Sequence, residues 1–207
     1  IRYLPDFKSK KGYISLPVEL EGNESAFIVF RKTNKVTEKK DNFPQKAIVY
    51  KIDTPWKITF EAGKRGPKTP VVWSQLKDWM DSENDSIKYF SGQAVYETTF
   101  TLEKLPQKSL YIDLGNVMVM AKVTLNGHYV GGVWINPYRL NVTDYLREGE
   151  NKLEITVVNN WQNRLIGDQR LPEDQRLTWT TINPWKADSS LQSSGLLGPV
   201  EIQFFDY

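Results

Sequence analysis

Residues 116–168 read NVMVMAKVTLNGHYVGGVWINPYRLNVTDYLREGENKLEITVVNNWQNRLIGD. Within this stretch Val123–Thr124–Leu125 alternates into the tight turn Asn126–Gly127, and a second strand follows, as expected of a two-residue hairpin. A strand over Tyr138–Asp144 is closed by the turn-rich run Arg147–Glu148–Gly149–Glu150–Asn151. Leu153, Ile155 and Val157 then alternate at the period of a half-buried strand. That strand runs directly into a polar-aromatic loop, Asn159–Asn160–Trp161–Gln162–Asn163–Arg164. Up to Val158 the stretch reads as scaffold; from Asn159 to Asp168 it reads as a surface the scaffold presents.

Working outward, the same period recurs. Strands are expected at Ala47–Asp53, Trp56–Glu61, Ala94–Leu102, Ser109–Leu114, Val117–Leu125, Tyr129–Ile135, Tyr138–Thr143, Lys152–Asn159 and Val200–Phe205. Many short strands with turn signals between them predict an all-β sandwich or jelly roll. The helical signal is confined to Ser74–Met80, with Ser74 as its N-cap, and Asp81–Ser86 reads as an acidic loop. Trp161 to Pro199 is far longer than an ordinary connection, and its Trp and Leu content argues that it folds onto the sandwich. At the other end, Tyr13–Leu20 and Ser25–Arg31 look like strands joined by a turn at Glu21–Glu24, followed by a polar linker over Thr33–Asn42. Two strands alone are marginal. Residues 1–45 are therefore expected to be the last strands of a preceding β domain plus linker, or an addition to the edge of the next sheet, with 46–207 the sandwich.

The bulk composition excludes several classes. Net charge is +2 with both signs interspersed, so neither nucleic acid nor a membrane surface is an expected partner. No apolar run is long enough to insert in a membrane. The chain has no cysteine and one histidine, His128, in a hairpin turn, which leaves disulfide, thiol and histidine-relay chemistry without a basis. Asp81-x-Glu83-x-Asp85 has the alternation of a calcium loop, but Ser86 and Gly92 stand where that loop needs Gly and Glu. Glycoside hydrolysis needs two carboxyls facing across a cleft. Glu148, Glu150, Glu154, Asp168, Glu173, Asp174 and Asp188 single out no such pair, so no catalytic site is expected in this chain.

Seven tryptophans remain to be explained. Sugar rings stack their C–H faces on indoles, and their hydroxyls bond to planar polar side chains, so exposed Trp beside Asn, Asp and Arg suits a sugar site. Asn159, Asn160, Trp161, Arg164, Asp168, Trp179 and Trp185 fit by type. The competing reading is structural: the indoles pin the long segment down, and Arg164 with Asp168 forms an internal ion pair. Both readings stay open at this level.

The run Val123-x-Leu125-Asn126-Gly127-x-x-Val130-Gly131, then Trp134-x-x-Pro137-Tyr138-Arg139-x-x-Val142-Thr143-Asp144, resembles the galactose-binding-like jelly roll of family 2 glycoside hydrolases. Asn163–Asp168, Trp179–Thr181, Pro184–Trp185 and Ser194–Val200 are similar to the C-terminal β-sandwich of large bacterial α-L-rhamnosidases of glycoside hydrolase family 106. The likeness covers about residues 50–207. It implies a non-catalytic accessory domain of a multidomain, periplasmic or secreted enzyme acting on plant or bacterial polysaccharide. Its catalytic carboxylates would sit in a separate (β/α)₈ barrel, and its partners would be carbohydrate and the rest of its own polypeptide. No cofactor is expected, although a structural calcium in a sandwich loop, as some relatives carry, stays open. The alternative implied role is a purely structural sandwich that buttresses the barrel.

Overall fold

A computed structural model describes residues 3–30 and 41–206. Among the described residues fourteen strands form, and the long ones bury every second residue. In β6 (Gln93–Leu102) Ala94, Tyr96, Phe100 and Leu102 point inward, and in β12 (Gly149–Val158) Leu153, Ile155 and Val157 do so. β4 (Trp56–Phe60) contributes Trp56, Ile58 and Phe60, and β9 (Met120–Leu125) contributes Ala121, Val123 and Leu125. With β5 (Val71–Trp73) and β10 (His128–Val133), these strands make a six-stranded antiparallel sheet in the order β10-β9-β12-β6-β4-β5.

A four-stranded sheet lies against it, built from β3 (Gln45–Lys51), β7 (Tyr111–Asp113), β11 (Arg139–Asn141) and β14 (Glu201–Asp206) in the order β11-β7-β14-β3. Ile112 and Ile202 from this sheet join Val123, Ile155 and Tyr96 from the other in one continuous core. Tyr50 stacks on Phe100 across the gap, with ring centroids 5.5 Å apart. The all-β sandwich expected from the sequence is the architecture observed. A short pair, β8 (Asn116–Met118) with β13 (Gly195–Gly198), closes one side. The expected strand Val117–Leu125 is thus two strands, β8 serving a different sheet from β9.

The Asn126–Gly127 turn forms as read, both residues adopting the left-handed conformation with φ of 52° and 83°. Asn126 also reaches out of its turn. Its Nδ2 donates to the Tyr145 carbonyl at 2.8 Å and to Asn151 Oδ1 at 2.9 Å, while its Oδ1 accepts from Lys152 N. Asn151, fully buried, in turn donates to the carbonyls of Arg147 and Gly149. Two asparagines therefore lock the hairpin to the turn that precedes β12.

Three expectations are corrected. At the N-terminal end the hairpin is β1 (Lys8–Lys10) with β2 (Tyr13–Ser15), turning on Lys11–Gly12 with φ of 49° and 80°. The Glu21–Glu24 turn forms, with Glu24 N donating to Glu21 O, but residues 25–30 are not a strand, and Phe27 is 99% exposed. The run is apolar at every position from Ala26 to Phe30, yet no described strand lies beside it to pair with. Arg31 and most of the expected 33–42 linker lie outside the described residues.

The helical turns are also shifted. A 3₁₀ turn occupies Trp79–Asp81, where the Asp78 side chain accepts from Met80 N, and α1 (Asp85–Lys88) falls in the expected acidic loop, capped by Asn84. Asp78 and Asn84 cap these ends in place of Ser74. Finally, the long 161–199 segment contains α2 (Gln162–Asp168), whose apolar pair Leu165–Ile166 is too short to display helical periodicity.

The segment carrying the aromatic loop

β12 delivers the chain at Val158 to Asn159, whose side chain is already engaged by the scaffold. Its Nδ2 donates to the Phe90 carbonyl at 2.8 Å, and its Oδ1 accepts from Gly92 N at 3.0 Å. Asn160 Oδ1 accepts from Gln162 N at 3.1 Å, closing the first turn of α2 in the manner of a cap, and its Nδ2 donates to Gln192 Oε1.

α2 buries polar residues in a row. Asn163 is fully buried; its Nδ2 donates to Gln192 O at 2.6 Å and its Oδ1 accepts from Gln192 N at 2.8 Å. Ser194, on the same returning strand of chain, has its amide bonded to Asp78 Oδ1 at 2.9 Å. At the next residue, Arg164 Nη2 meets Asp168 Oδ1 at 2.9 Å in an i,i+4 ion pair buried on both sides. Asp168 Oδ2 accepts three hydrogen bonds, from Leu177 N at 3.0 Å, Thr178 N at 2.8 Å and Thr178 Oγ1 at 2.6 Å. Burial lowers the pKa of the Arg164 guanidinium, and Asp168 beside it acts in the opposite direction. Arg164 Nε has no acceptor among the described residues, so Asp168 is what neutralises this charge.

The seven candidate site residues are thereby sorted. Asn159, Arg164 and Asp168 face inward and hold the segment, and Asn160 is committed to α2 and Gln192. Trp161 and Trp179 stand 70% and 86% exposed, and Trp185 is half-buried, its amide donating to Asn183 Oδ1 at 3.0 Å. The tryptophan excess divides likewise. Trp56, Trp73 and Trp79 are core residues, Trp79 Nε1 donating to Tyr96 Oη at 2.6 Å, while Trp134, Trp161 and Trp179 are exposed. Asn163, Thr178 and Ser194, which fasten the loop, gave no sequence signal, because buried amides and hydroxyls resemble surface ones in sequence. Surface grooves lie elsewhere, one beside Leu105, Glu148 and Phe204, another between Glu21, Lys108, Arg139 and Phe205. Among the described residues no three His, Asp or Glu side chains gather as metal ligands, so no calcium site is assigned there. No helix among them is long and apolar enough to cross a membrane.

The fold and loop define an all-β sandwich that carries two exposed indoles on a segment fastened from below. More specifically, residues 73–191 match the family described as glycosyl hydrolase 2 galactose-binding domain-like, and the chain belongs to that family. It is 44% identical over 158 residues to a protein of Formosa agariphila provisionally named a β-glucuronidase, covering 64% of this chain and 14% of that one. The fold superposes on a rhamnosidase from Novosphingobium sp. PP1Y with a TM-score of 0.77 and 37% identity, covering 95% of this chain and 19% of that one. A β-glucuronidase from Ruminococcus gnavus, at 16% identity and a TM-score of 0.54, shares the fold. The chain thus spans less than a fifth of the length of the first two relatives.

Proposed function

We propose that this chain is an accessory β-sandwich of a larger glycoside hydrolase, one that presents the Trp161–Trp179 segment to carbohydrate while other parts of the same polypeptide carry the hydrolytic carboxylates. The observation that carries this reading is the combination of two largely exposed indoles with a backbone fastened beneath them by Asp168 and Asn163. Exposed aromatic area on a rigid support is suited to stacking a sugar, because little conformational freedom is lost on binding. The location that goes with it is periplasmic or secreted, where polysaccharide is met.

Calorimetric titration with rhamnose-containing and galactose-containing oligosaccharides tests the proposal. Binding is expected in the unmodified chain, with a loss of about tenfold or more in Trp161→Ala or Trp179→Ala. Both variants should keep the parent melting temperature, since surface substitutions normally change stability by no more than about 0.5 kcal/mol. Failure of every oligosaccharide to bind would defeat the reading, as would hydrolysis of an aryl rhamnoside by the isolated chain.

A second reading, a sandwich that buttresses its neighbours, is favoured by one specific observation. The run 25–30 exposes Phe27, Ile28, Val29 and Phe30, so both faces of an extended segment are apolar. A strand apolar on both faces belongs inside a sheet covered on both sides. Residues 1–45 accordingly read as the end of a preceding β unit, tied within itself by Asn42, which bonds the Asp6 backbone, and held to the 46–207 sandwich by the Glu21–Arg139 ion pair at 2.6 Å. The two roles are compatible, since they use different surfaces.

A further inference from the structure

Just past the end of β10 the sandwich carries an exposed apolar surface. Val133 closes that strand, paired with Ala121, and both are buried in the core. Trp134 and Ile135 follow, 71% and 51% exposed. Opposite them, at and just before the start of β9, stand Met120 and Val119, 45% and 37% exposed. Met120 pairs with Val158, and the Val119 amide donates to the Val158 carbonyl at 3.0 Å, so β12 holds both in place. The two stretches that build this surface, 116–121 and 129–138, contain no charged side chain. Cores of protein interfaces are depleted in charge and enriched in Trp and Met, which is the composition found here.

This surface has a neighbour. Ile135 leads into Asn136, whose carbonyl accepts from Asn23 Nδ2 at 3.4 Å, and Arg139 meets Glu21. Residues 21–23 are thereby fixed at the 134–136 loop, and the apolar run 26–30 begins three residues later. Exposed Phe27, Ile28, Val29 and Phe30 thus lie across one loop from Trp134 and Ile135. Size decides what the two can serve. At about 150–250 Å² per large side chain, the exposed fractions leave roughly 400 Å² around Trp134 and roughly 550 Å² on 27–30. Each alone is ordinary for a monomer, whose largest apolar patch is about 300–600 Å². Together they exceed the ~800 Å² that one partner contributes to a stable interface.

We infer that Met120, Trp134 and Ile135 form one docking surface with the 26–30 run, and that its occupant is the rest of the β unit to which residues 1–45 belong. That unit takes 26–30 into its sheet and lays an uncharged apolar face over Trp134. The inference rests on the second reading above and adds where the unit sits on the sandwich. A unit of the same polypeptide is favoured because Asn23 and Glu21 already tether its last residues to this loop, which makes docking intramolecular. The chain covers 14% and 19% of the two relatives above, which leaves room for such a unit.

Hydroxyl-radical footprinting read by mass spectrometry tests this, comparing the 207-residue chain with the whole natural polypeptide that carries it. Oxidation of Trp134, Met120, Phe27 and Phe30 is expected to fall by about fivefold or more in the longer protein, as side chains pass into an interface core. Trp179, on the segment assigned to carbohydrate, keeps its reactivity. Trp134→Asp in the longer protein should restore Met120 oxidation. In the 207-residue chain the same change should leave the melting temperature within about 2 °C of the parent, because Trp134 is exposed there. Protection of Phe27 and Phe30 without Trp134 and Met120 overturns the docking surface and leaves the second reading standing. Protection of none of the four overturns both. The inference also fails if Trp179 is protected equally, or if Met120 stays protected in Trp134→Asp. It fails too if the 207-residue chain sediments as a dimer with Trp134 already protected, which would assign the surface to a second copy.

Discussion

Asp168 offers the sharpest test of how the aromatic segment is held. Replacing it by alanine removes the acceptor of three hydrogen bonds and strands the Arg164 guanidinium in a buried site. Breaking a buried pair from one side costs about 3–5 kcal/mol, because the remaining charge has lost both its water and its partner. For a chain of this size that corresponds to a fall in melting temperature of roughly 6–20 °C. Thermal unfolding followed by circular dichroism measures it. The double variant Arg164→Met/Asp168→Ala removes the stranded charge and should recover a substantial part of the loss. It cannot restore the bonds to Leu177 and Thr178, so the amides of those two residues should exchange their protons fast in both variants. The reasoning fails if Asp168→Ala melts within about 2 °C of the parent, equivalent to less than 1 kcal/mol. It fails equally if the double variant is no more stable than the single one.

Two further outcomes follow from the core and the hairpin. Burial pushes the Tyr96 phenol up, away from its ordinary value, so the folded chain holds this proton more tightly than the unfolded chain. The associated stability is complete below the unfolded value near pH 10 and is lost as pH rises beyond it, by about 1.4 kcal/mol per pH unit. Urea titrations between pH 9 and 12 should show this extra alkaline loss in the parent relative to Tyr96→Phe, and parallel curves would contradict it. Asn126→Ala should cost about 2–3 kcal/mol, through three lost hydrogen bonds and a left-handed φ. Asn126→Gly keeps the turn and loses only the bonds, so its urea midpoint should fall between the alanine variant and the parent.

The scaffold was legible because strand burial has a period of two and needs no knowledge of partners. Leu153, Ile155 and Val157, and the Asn126–Gly127 turn, announce their environment by position alone. Strand reading failed at 25–30, where a continuous apolar run was present but no described strand lies alongside to satisfy it. It failed again at α2, which is a helix through buried polar contacts with Gln192 and Thr178, thirty and ten residues away in sequence or thereabouts. The candidate site was half legible. Trp161 and Trp179 were found and are exposed, but Asn159, Arg164 and Asp168, chosen for the same polar character, turned inward.

The sequence by itself thus determined the fold class, the hairpin at Asn126–Gly127 and the family resemblance, since each rests on local patterns of burial and turn chemistry. Which polar groups hold the loop and which remain free was decided only by tertiary structure. Asp168 and Asn160 are equally polar in sequence; what separates them is that Thr178 and Arg164 close over one, and solvent reaches the other. Likewise Trp79 and Trp134 are the same residue type, one bonded inside the core to Tyr96 and the other exposed just past the end of β10. Burial is a property of the assembled layers, and no single stretch of chain carries it.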